Sequence, residues 1–448
     1  LSAFLPNTLR LRRGVALLDG GALAASVWAA FAVRFAPAER PVNWAELLAS
    51  PGLIAVAVAA MWALATAAEL YEPLVVRSRR EVAVRVLVVA AAWSAVMALA
   101  TYAVPAWRFG RGVLALTTVV WAVLAGALRA VLARWLASRP RPRALVVGEP
   151  EAAEDVARRL RQHPASPWEA AVGEAAGAAA VADEARARGA EIVVLAGRES
   201  AGAGGLDDVA QLHFSGIPVV VASEVWAWLD GRLPVGEMSP AAFLHQPGFG
   251  AVHWELFNRL TRVLDLVVGS LLLLASLPLL LFAMLAVLLC DGRPVLFRQV
   301  RLGQYGRRFE VIKLRTMRRD AEAAGPMFAE PDDPRVTRLG RVLRRLRIDE
   351  LPQLVNVLRG DMSLVGPRPE RPEFIAELAR EIPFYTYRLA VPPGLTGWAQ
   401  VNMPYARTTE EHRRRLEYDL YFIRERSLGL YLVTLLRTAS TALAGVRE

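Results

Sequence analysis

The chain has 448 residues, enough for two or three domains. Hydrophobic residues make up 54% of it and mean hydropathy is +0.31, which argues against an ordinary soluble protein and for membrane segments. The formal charge of +10 suits anionic lipid, phosphate-rich substrates or nucleic acid, while the one cysteine, Cys290, excludes an internal disulfide and a cysteine metal site.

Four apolar runs fill the first third, at roughly 14–36, 52–70, 84–104 and 112–134. Each is near the ~20 residues that cross a bilayer as a helix. The first reads as a span rather than a cleaved leader, because three more follow it. Arg10, Arg12 and Arg13 precede the first run, Arg77, Arg79, Arg80 and Arg85 separate the second from the third, and Arg134, Arg139, Arg141 and Arg143 follow the fourth. The intervening loops are mixed or aromatic. The positive-inside rule then places the N-terminus and everything after residue 139 in the cytoplasm. The same distribution argues against nucleic-acid binding, since the basic residues flank apolar runs.

Pro140 and Pro142 mark a linker. The stretch "RALVVGEPEAAEDVARRLRQ" reads as strand, turn and helix, and "AEIVVLAG" and "GIPVVVAS" as further buried strands. This alternation predicts a Rossmann-like parallel α/β domain over 139–250. Of the dinucleotide fingerprint only Gly148 is present, with Pro150 and Ala153 in the other glycine places. A structural or dimerising domain and a nucleotide-binding one both stay open.

A fifth apolar run, "LDLVVGSLLLLASLPLLLFAMLAVLLC", covers 264–290. Arg259 and Arg262 precede it; Arg293, Arg298 and Arg301 follow it, so both flanks read as cytoplasmic. Pro278 removes a helix hydrogen bond in mid-run and favours a bend. The expectation is a re-entrant helix pair, about 261–290, rather than a plain span.

The chemistry gathers in "RIDELPQLVNVLRGDMSLVGPRPE", 347–370. Pro352 belongs in the first turn of a helix that runs through "QLVNVLR" and stops at Gly360. Asp349 and Glu350 therefore sit at or just before a helix N-terminus, where an ordinary acidic cap is the plain explanation. Arg344, Arg345, Arg347 and Arg368 gather more positive charge than two carboxylates need. A helix N-terminus with several guanidinium groups suits a polyphosphate. A carboxylate there can attack phosphorus or hold Mg²⁺.

This segment resembles the signature of the bacterial polyprenyl-phosphate sugar-phosphate transferases, the monotopic phosphoglycosyl transferases. "RVLDLVVG", "PVLFRQVRLGQYGRRFEVIKLRTM", "VPPGLTGWAQVN" and "LEYDLYFIRERS" resemble further blocks of that family in the same order, over roughly 255–440. Four spans and an α/β domain ahead of them resemble the long-chain members that start exopolysaccharide or O-antigen repeat units. The resemblance implies a multi-pass protein of the bacterial inner membrane, mainly α, in three segments: four transmembrane helices (1–138), the α/β domain (139–250), and an α-rich catalytic domain on the cytoplasmic face (251–448). It implies that Asp349 attacks the β-phosphorus of a UDP-sugar, expels UMP and passes the sugar phosphate to polyprenyl (undecaprenyl) phosphate. Glu350 matches the Mg²⁺ position, and Arg344 and Arg368 match arginines of the phosphate site. Lys313 and Arg315 lie in the matching Lys-x-Arg-Thr-Met block, with a phosphate role expected. Arg301, like Arg298, suits either phosphate or the lipid face. Trp398 suits either packing or sugar stacking. A homodimer through the spans or the α/β domain is expected.

Three departures from the family stand out. Leu277, not serine, precedes Pro278. In "NMPYARTTEEHRRR" the departure begins at Met403, where many members have glycine, which leaves sugar and uridine recognition open. Tyr431 stands where members often have aspartate. Arg413 to Arg415 read as a solvated or lipid-facing helix side, and the tail "LGLYLVTLLRTASTALAGV" as amphipathic because Arg437 interrupts it. Two rivals remain: an NAD-dependent nucleotide-sugar dehydratase or epimerase, which lacks its glycine fingerprint and Tyr-x-x-x-Lys pair here, and a non-catalytic scaffold for which Asp349 would be dispensable.

Overall fold

Helices dominate the chain because its apolar runs are long and rich in alanine and leucine, the strongest helix formers. The computed structural model describes residues 8–35, 51–68, 70–71, 79–104, 110–138, 140–174, 177–197, 214, 216–237, 243, 247–249, 254–321, 325 and 333–443. The expected loops around 36–50, 72–78 and 105–109 lie outside these residues. The chain divides into two compact units, Leu1–Val225 and Trp226–Glu448.

In the first unit, α1 (Thr8–Phe35), α2 (Pro51–Ala67), α3 (Arg79–Ala103) and α4 (Arg111–Ala137) pack as a four-helix bundle, with α1 against α2 and α4 and α3 against α2 and α4. Leu23, Met61, Trp93, Met97 and Trp121 fill its centre. Four described helical segments are long and apolar enough to cross a membrane: Arg12–Val33, Val82–Ala103, Arg111–Ala137 and Glu255–Cys290. The second expected span is the 17-residue α2, at the short end of the spanning range.

Among the described residues the bundle carries a fully buried ion pair. Arg129 on α4 donates Nη1 and Nη2 to Asp19 on α1, at 2.9 and 2.6 Å, and both side chains are shut off from the surface. The two-pronged geometry compensates charges that would otherwise be costly among apolar neighbours.

The sheet of this unit is parallel throughout, in the order β2-β1-β3-β4, from β1 (Arg143–Gly148), β2 (Glu169–Val172), β3 (Ala190–Ala196) and β4 (Val219–Val221). Helices α5 (Pro150–Gln162) and α6 (Ala178–Ala187) connect its strands. Strand β2, in "WEAAVG", is short and alanine-rich and carries too little β-branched signal to be read from sequence. Gly148 has a packing reason for being glycine. Its φ is +155° and a Cβ there would meet the Ala196 carbonyl oxygen at 2.2 Å.

In the second unit, residues 226–237, which sequence assigns to the α/β domain, pack elsewhere. Ala227, Leu233 and Val235 sit in one core with Ile375, Leu378, Leu416 and Leu420. The longest helix, α8 (Trp254–Cys290), follows α7 (Ala222–Asp230) and holds Pro278 inside a continuous helical assignment. Strands β5 (Leu296–Leu302) and β6 (Arg308–Leu314) form an antiparallel hairpin. After α9 (Arg338–Arg345) and α10 (Gln353–Arg359), β7 (Ser363–Val365) pairs in parallel with β8 (Gly394–Thr396). Around these lie α11 (Pro372–Glu381), α12 (Trp398–Asn402), α13 (Thr409–Arg424) and α14 (Leu428–Leu443). Helix α10 starts beside Pro352 and ends at Gly360, which takes the left-handed φ of 93°, as the sequence predicts.

Tyr431 shows what replaces an acidic role at its position. Its hydroxyl donates to Asp265 Oδ1 on α8 at 2.5 Å, and the same oxygen accepts from Leu364 N at 2.7 Å. Asp265 thereby pins β7 and α14 to α8.

The Asp19–Arg129 pair gives a direct test. Asp19→Ala leaves the guanidinium uncompensated and lowers stability by about 3–5 kcal/mol, whereas Asp19→Ala with Arg129→Met recovers most of the loss. Thermal unfolding of both variants in detergent measures the difference.

Candidate active site

Three residues of irregular backbone make the site. Helix α9 ends at Leu346, and Arg347 turns the chain with a left-handed φ of 59°. Ile348–Glu350 then form one 3-10 turn before α10 begins. Ile348 packs on the cluster beneath, with Leu343 and Leu280, so the two carboxylates that follow it are held at a cleft.

That cleft measures about 1820 Å³. Arginine and lysine outnumber carboxylates sixteen to four in its lining. Asp349, Glu350, Lys313, Arg344, Arg368, Arg301 and Arg315 all line it. Pro278 does not; it lies within α8.

The contacts inside the set differ. Glu350 Oε1 accepts from Lys313 Nζ at 3.1 Å and from Arg368 Nη2 at 2.9 Å. Arg344 Nε donates to Thr316 Oγ1 at 2.9 Å. Arg301 Nη1 reaches Glu370 Oε2 at 3.3 Å. Arg315 Nη2 donates to the carbonyls of Asp291 and Gly292, at 2.5 and 2.8 Å, so its bonding is to the chain where α8 ends.

The adjacent carboxylates are driven apart in acidity. Burial, and next the charge of Glu350, push the Asp349 carboxyl up to about 6 against the pull of Lys313, Arg344 and Arg368. Burial also raises Glu350, but the charges of Arg368, Lys313 and Arg347 outweigh it and hold the group well below the usual carboxylate range. Burial lowers the Lys313 ammonium, and Glu350 opposes that shift. Two neighbouring groups with opposed shifts are how a site assigns two roles to one residue type. Glu350 is a permanent anion clamped by cations. Asp349 is a carboxylate at neutral pH with no cation bound directly to it among the described residues, and such a group keeps its electron pairs available for attack.

Could the dyad hold a metal ion? Glu350 Oε1 takes both cations, and Oε2 has no partner among the described residues. One open carboxylate oxygen suits Mg²⁺, which takes one or two carboxylates and completes its shell with substrate phosphates and water. No group of three or more His, Cys, Asp or Glu placed to hold a metal occurs among the described residues. The fit is therefore to a cation shared with substrate.

A second layer of charge sets the first. Glu370 accepts from Arg301 and, at 2.8 Å, from Arg415. Arg388, paired with Asp419 at 2.7 Å, donates to the backbone carbonyl of Arg368 at 3.2 Å. Asn356 on α10 accepts from Ile312 N at 3.1 Å and donates to the Glu310 carbonyl at 2.7 Å, tying strand β6, which carries Lys313, to the helix behind the dyad.

The family described as bacterial sugar transferase matches residues 256–445. The chain is 39% identical over 230 residues to the UDP-N-acetylgalactosamine-undecaprenyl-phosphate N-acetylgalactosaminephosphotransferase of Aeromonas hydrophila, covering 51% of this chain and 53% of that one. It is 43% identical over 174 residues to the UDP-glucose:undecaprenyl-phosphate glucose-1-phosphate transferase of Escherichia coli K12, 38% of each chain. A protein of the same description in Caulobacter vibrioides is 46% identical over 184 residues, 41% of this chain and 69% of its own length. The chain belongs to the bacterial sugar transferase family. The match spans about half the length of the Aeromonas relative.

One sequence expectation needs correcting, and one left open is decided. Arg415 is not on a solvated or lipid-facing side: it is buried on Glu370, because one residue advances about 100° around a helix and turns it away from the exposed Arg414. Trp398 packs. Its Nε1 donates to the Gly231 carbonyl at 2.8 Å and Arg437 lies over its ring, 4.7 Å from the centroid. Sequence reasoning missed Asn356, Glu370, Arg388 and Asp419. A polar residue amid the apolar positions of "QLVNVLR" was the one available signal, and it pointed to Asn356.

Asn356→Leu keeps the volume and strands Ile312 N and the Glu310 carbonyl. It lowers stability by about 2–6 kcal/mol, at about 1–3 for each orphaned group. Chemical denaturation beside the unaltered chain measures this; an unchanged midpoint would mean that β6 and α10 are not joined through this side chain.

Proposed function

We propose that this chain transfers a sugar 1-phosphate from a UDP-sugar to polyprenyl phosphate, undecaprenyl phosphate in its relatives' names, through a phospho-sugar carried on Asp349. It would act at the cytoplasmic face of the bacterial inner membrane, as the first membrane step of exopolysaccharide or O-antigen synthesis. The observation that carries the reading is the divided dyad: a clamped Glu350 beside an Asp349 that is buried, ionised near neutrality and ringed by cations.

The steps balance. An Asp349 oxygen attacks the β-phosphorus, the bond from that phosphorus to the bridging oxygen breaks, and UMP leaves with that oxygen. An oxygen of polyprenyl phosphate then attacks the same phosphorus, the acyl-phosphate bond breaks and the carboxylate returns. Arg368, Lys313 and Arg344 offset the repulsion between the anionic nucleophile and the diphosphate. Mg²⁺ on Glu350 would add positive charge at the diphosphate. Using one carboxylate in turn for a soluble donor and a lipid acceptor gives ping-pong kinetics.

A re-entrant α8 belongs to this reading. Near its start, Arg262 donates to the carbonyls of Val357 and Leu358, at 2.5 and 2.7 Å. Near its end, Leu280, Ala283 and Val287 pack with Leu314 and Leu343. Along a straight helix Arg262 lies roughly 27 to 37 Å from these residues, close to the ~30 Å of a bilayer's hydrocarbon, yet both ends belong to one unit. Entering and leaving on one face satisfies both, with Pro278 as the place to bend.

Intact-mass analysis after mixing with Mg²⁺ and a panel of UDP-sugars, without lipid, is the decisive test. A gain of one sugar phosphate, absent in Asp349→Asn, is expected, and its mass names the sugar; relatives' names divide between glucose and N-acetylgalactosamine. UMP release that requires acceptor and leaves no adduct would instead mean direct transfer. Because the reactive form is the carboxylate, and its pKa is raised to about 6, the adduct-forming rate falls about tenfold per pH unit below that value and levels above it. Glu350→Gln removes a charge that raises Asp349, so its acid limb moves to lower pH. For topology, a membrane-impermeant maleimide should label Cys290, the one cysteine, from the cytoplasmic side only. Labelling from the other side would make α8 a plain span.

A further inference from the structure

A second cavity, of about 590 Å³, opens where α8 ends. Cys290 and Asp291 form one wall, Arg315 and Arg318 another, and Arg338 and Arg341 of α9 a third. Both carboxylates in its lining are already engaged. Asp291 Oδ2 accepts from Thr337 Oγ1 at 2.9 Å, and Asp333 is gripped by Arg335 through Nε and Nη2, at 2.9 and 2.6 Å. The cations are not balanced. Arg318, Arg338 and Arg341 form no ion pair among the described residues. Arg315 is 5% exposed, and its Nη1 is buried with no hydrogen-bond acceptor among those residues. A buried guanidinium N–H beside a cavity is a donor in want of an acceptor.

What kind of acceptor fits is set by the neighbouring surface. The last turns of α8 present Leu285, Phe282 and Leu289 outward, with Leu289 75% exposed. The next residue, Cys290, begins the cavity. An apolar stripe that ends one residue before the cavity, about 100° round the helix from Cys290, followed by a cluster of guanidinium groups, has the polarity of a membrane lipid, chain first and phosphate after. Guanidinium forks match phosphate oxygens, and the volume falls within the range of small-ligand pockets.

We propose that this cavity binds the phosphate of a membrane lipid, with Arg315, Arg338 and Arg341 as donors and the lipid chain along Leu285 and Leu289. The cavity adjoins the cleft and shares Arg315, Arg318 and Arg341 with its lining, but no step of the transfer at Asp349 uses it. The inference does rest on the re-entrant reading of α8, which puts Cys290 at the bilayer surface. The lipid is either a bulk anionic phospholipid or the polyprenyl phosphate acceptor held beside the cleft; both offer the same group.

The test is native mass spectrometry of the full chain released from bilayer nanodiscs of phosphatidylcholine with and without phosphatidylglycerol. The unaltered chain should retain phosphatidylglycerol. Arg338→Gln with Arg341→Gln should retain about five- to tenfold less, whereas Arg158→Gln with Arg161→Gln, the same charge change on the α/β domain, should retain as much as the parent. Displacement by polyprenyl phosphate but not by inorganic phosphate would assign the site to the acceptor; displacement by neither would assign it to bulk phospholipid. Equal retention by all three chains, or displacement by inorganic phosphate alone, would overturn the proposal. Adduct formation on Asp349, followed in the unaltered chain of the same preparations, separates the two failures: an adduct with arginine-independent retention sinks only the lipid site, and arginine-dependent retention without adduct sinks only the transfer reaction.

Discussion

One clamped carboxylate organises the second unit. Glu350 holds Lys313 from strand β6 and Arg368 from the loop after β7 on a single oxygen. A buried anion is tolerable only with such partners, and the partners are tolerable only with the anion. Lys313 and Arg368 are 55 residues apart in the chain, so this three-body contact is also what closes the cleft. Asp349, next in sequence, receives the field of the same cations without their direct bonds. Burial and the charge of Glu350 raise its pKa against the pull of those cations.

How far could the sequence go? Helix α10 was readable at both ends, because Pro352 and Gly360 act through local backbone rules. The four sites of the dyad's surroundings nearest in chemistry, Arg344, Arg368, Lys313 and Glu350, were legible through motif resemblance, and they do line one cleft. The layer beneath was not. Glu370 meets Arg415 across 45 residues and Arg388 meets Asp419 across 31, and no local pattern encodes such pairs. The basic run at 413–415 misled for a related reason: net charge says nothing about which of three consecutive arginines faces inward.

Among the fold elements, strength of pattern decided what could be read. The long apolar runs and the valine-rich strands β1 and β3 were plain. Strand β2 was not, and residues 226–237 joined the catalytic core through Ala227, Leu233 and Val235 although nothing in their composition separates them from the α/β domain before them. The glycine at 148 has a packing reason that sequence alone does not show. Read alone it suggests a phosphate loop, but the Ala196 carbonyl that would touch its missing side chain accounts for it.

The grip of Arg262 on α10 has a mechanical side. It holds the carbonyls at the far end of a seven-residue helix whose near end adjoins the dyad, about 10 Å away. A helix that short is stiff. With Asp265 pinning β7 one turn further along α8, the apolar helix and the catalytic turn are geared together at two teeth. Any movement of α8 is thereby passed to the turn that carries Asp349 and Glu350, so the seating of the apolar helix and the placement of the dyad are one mechanical variable.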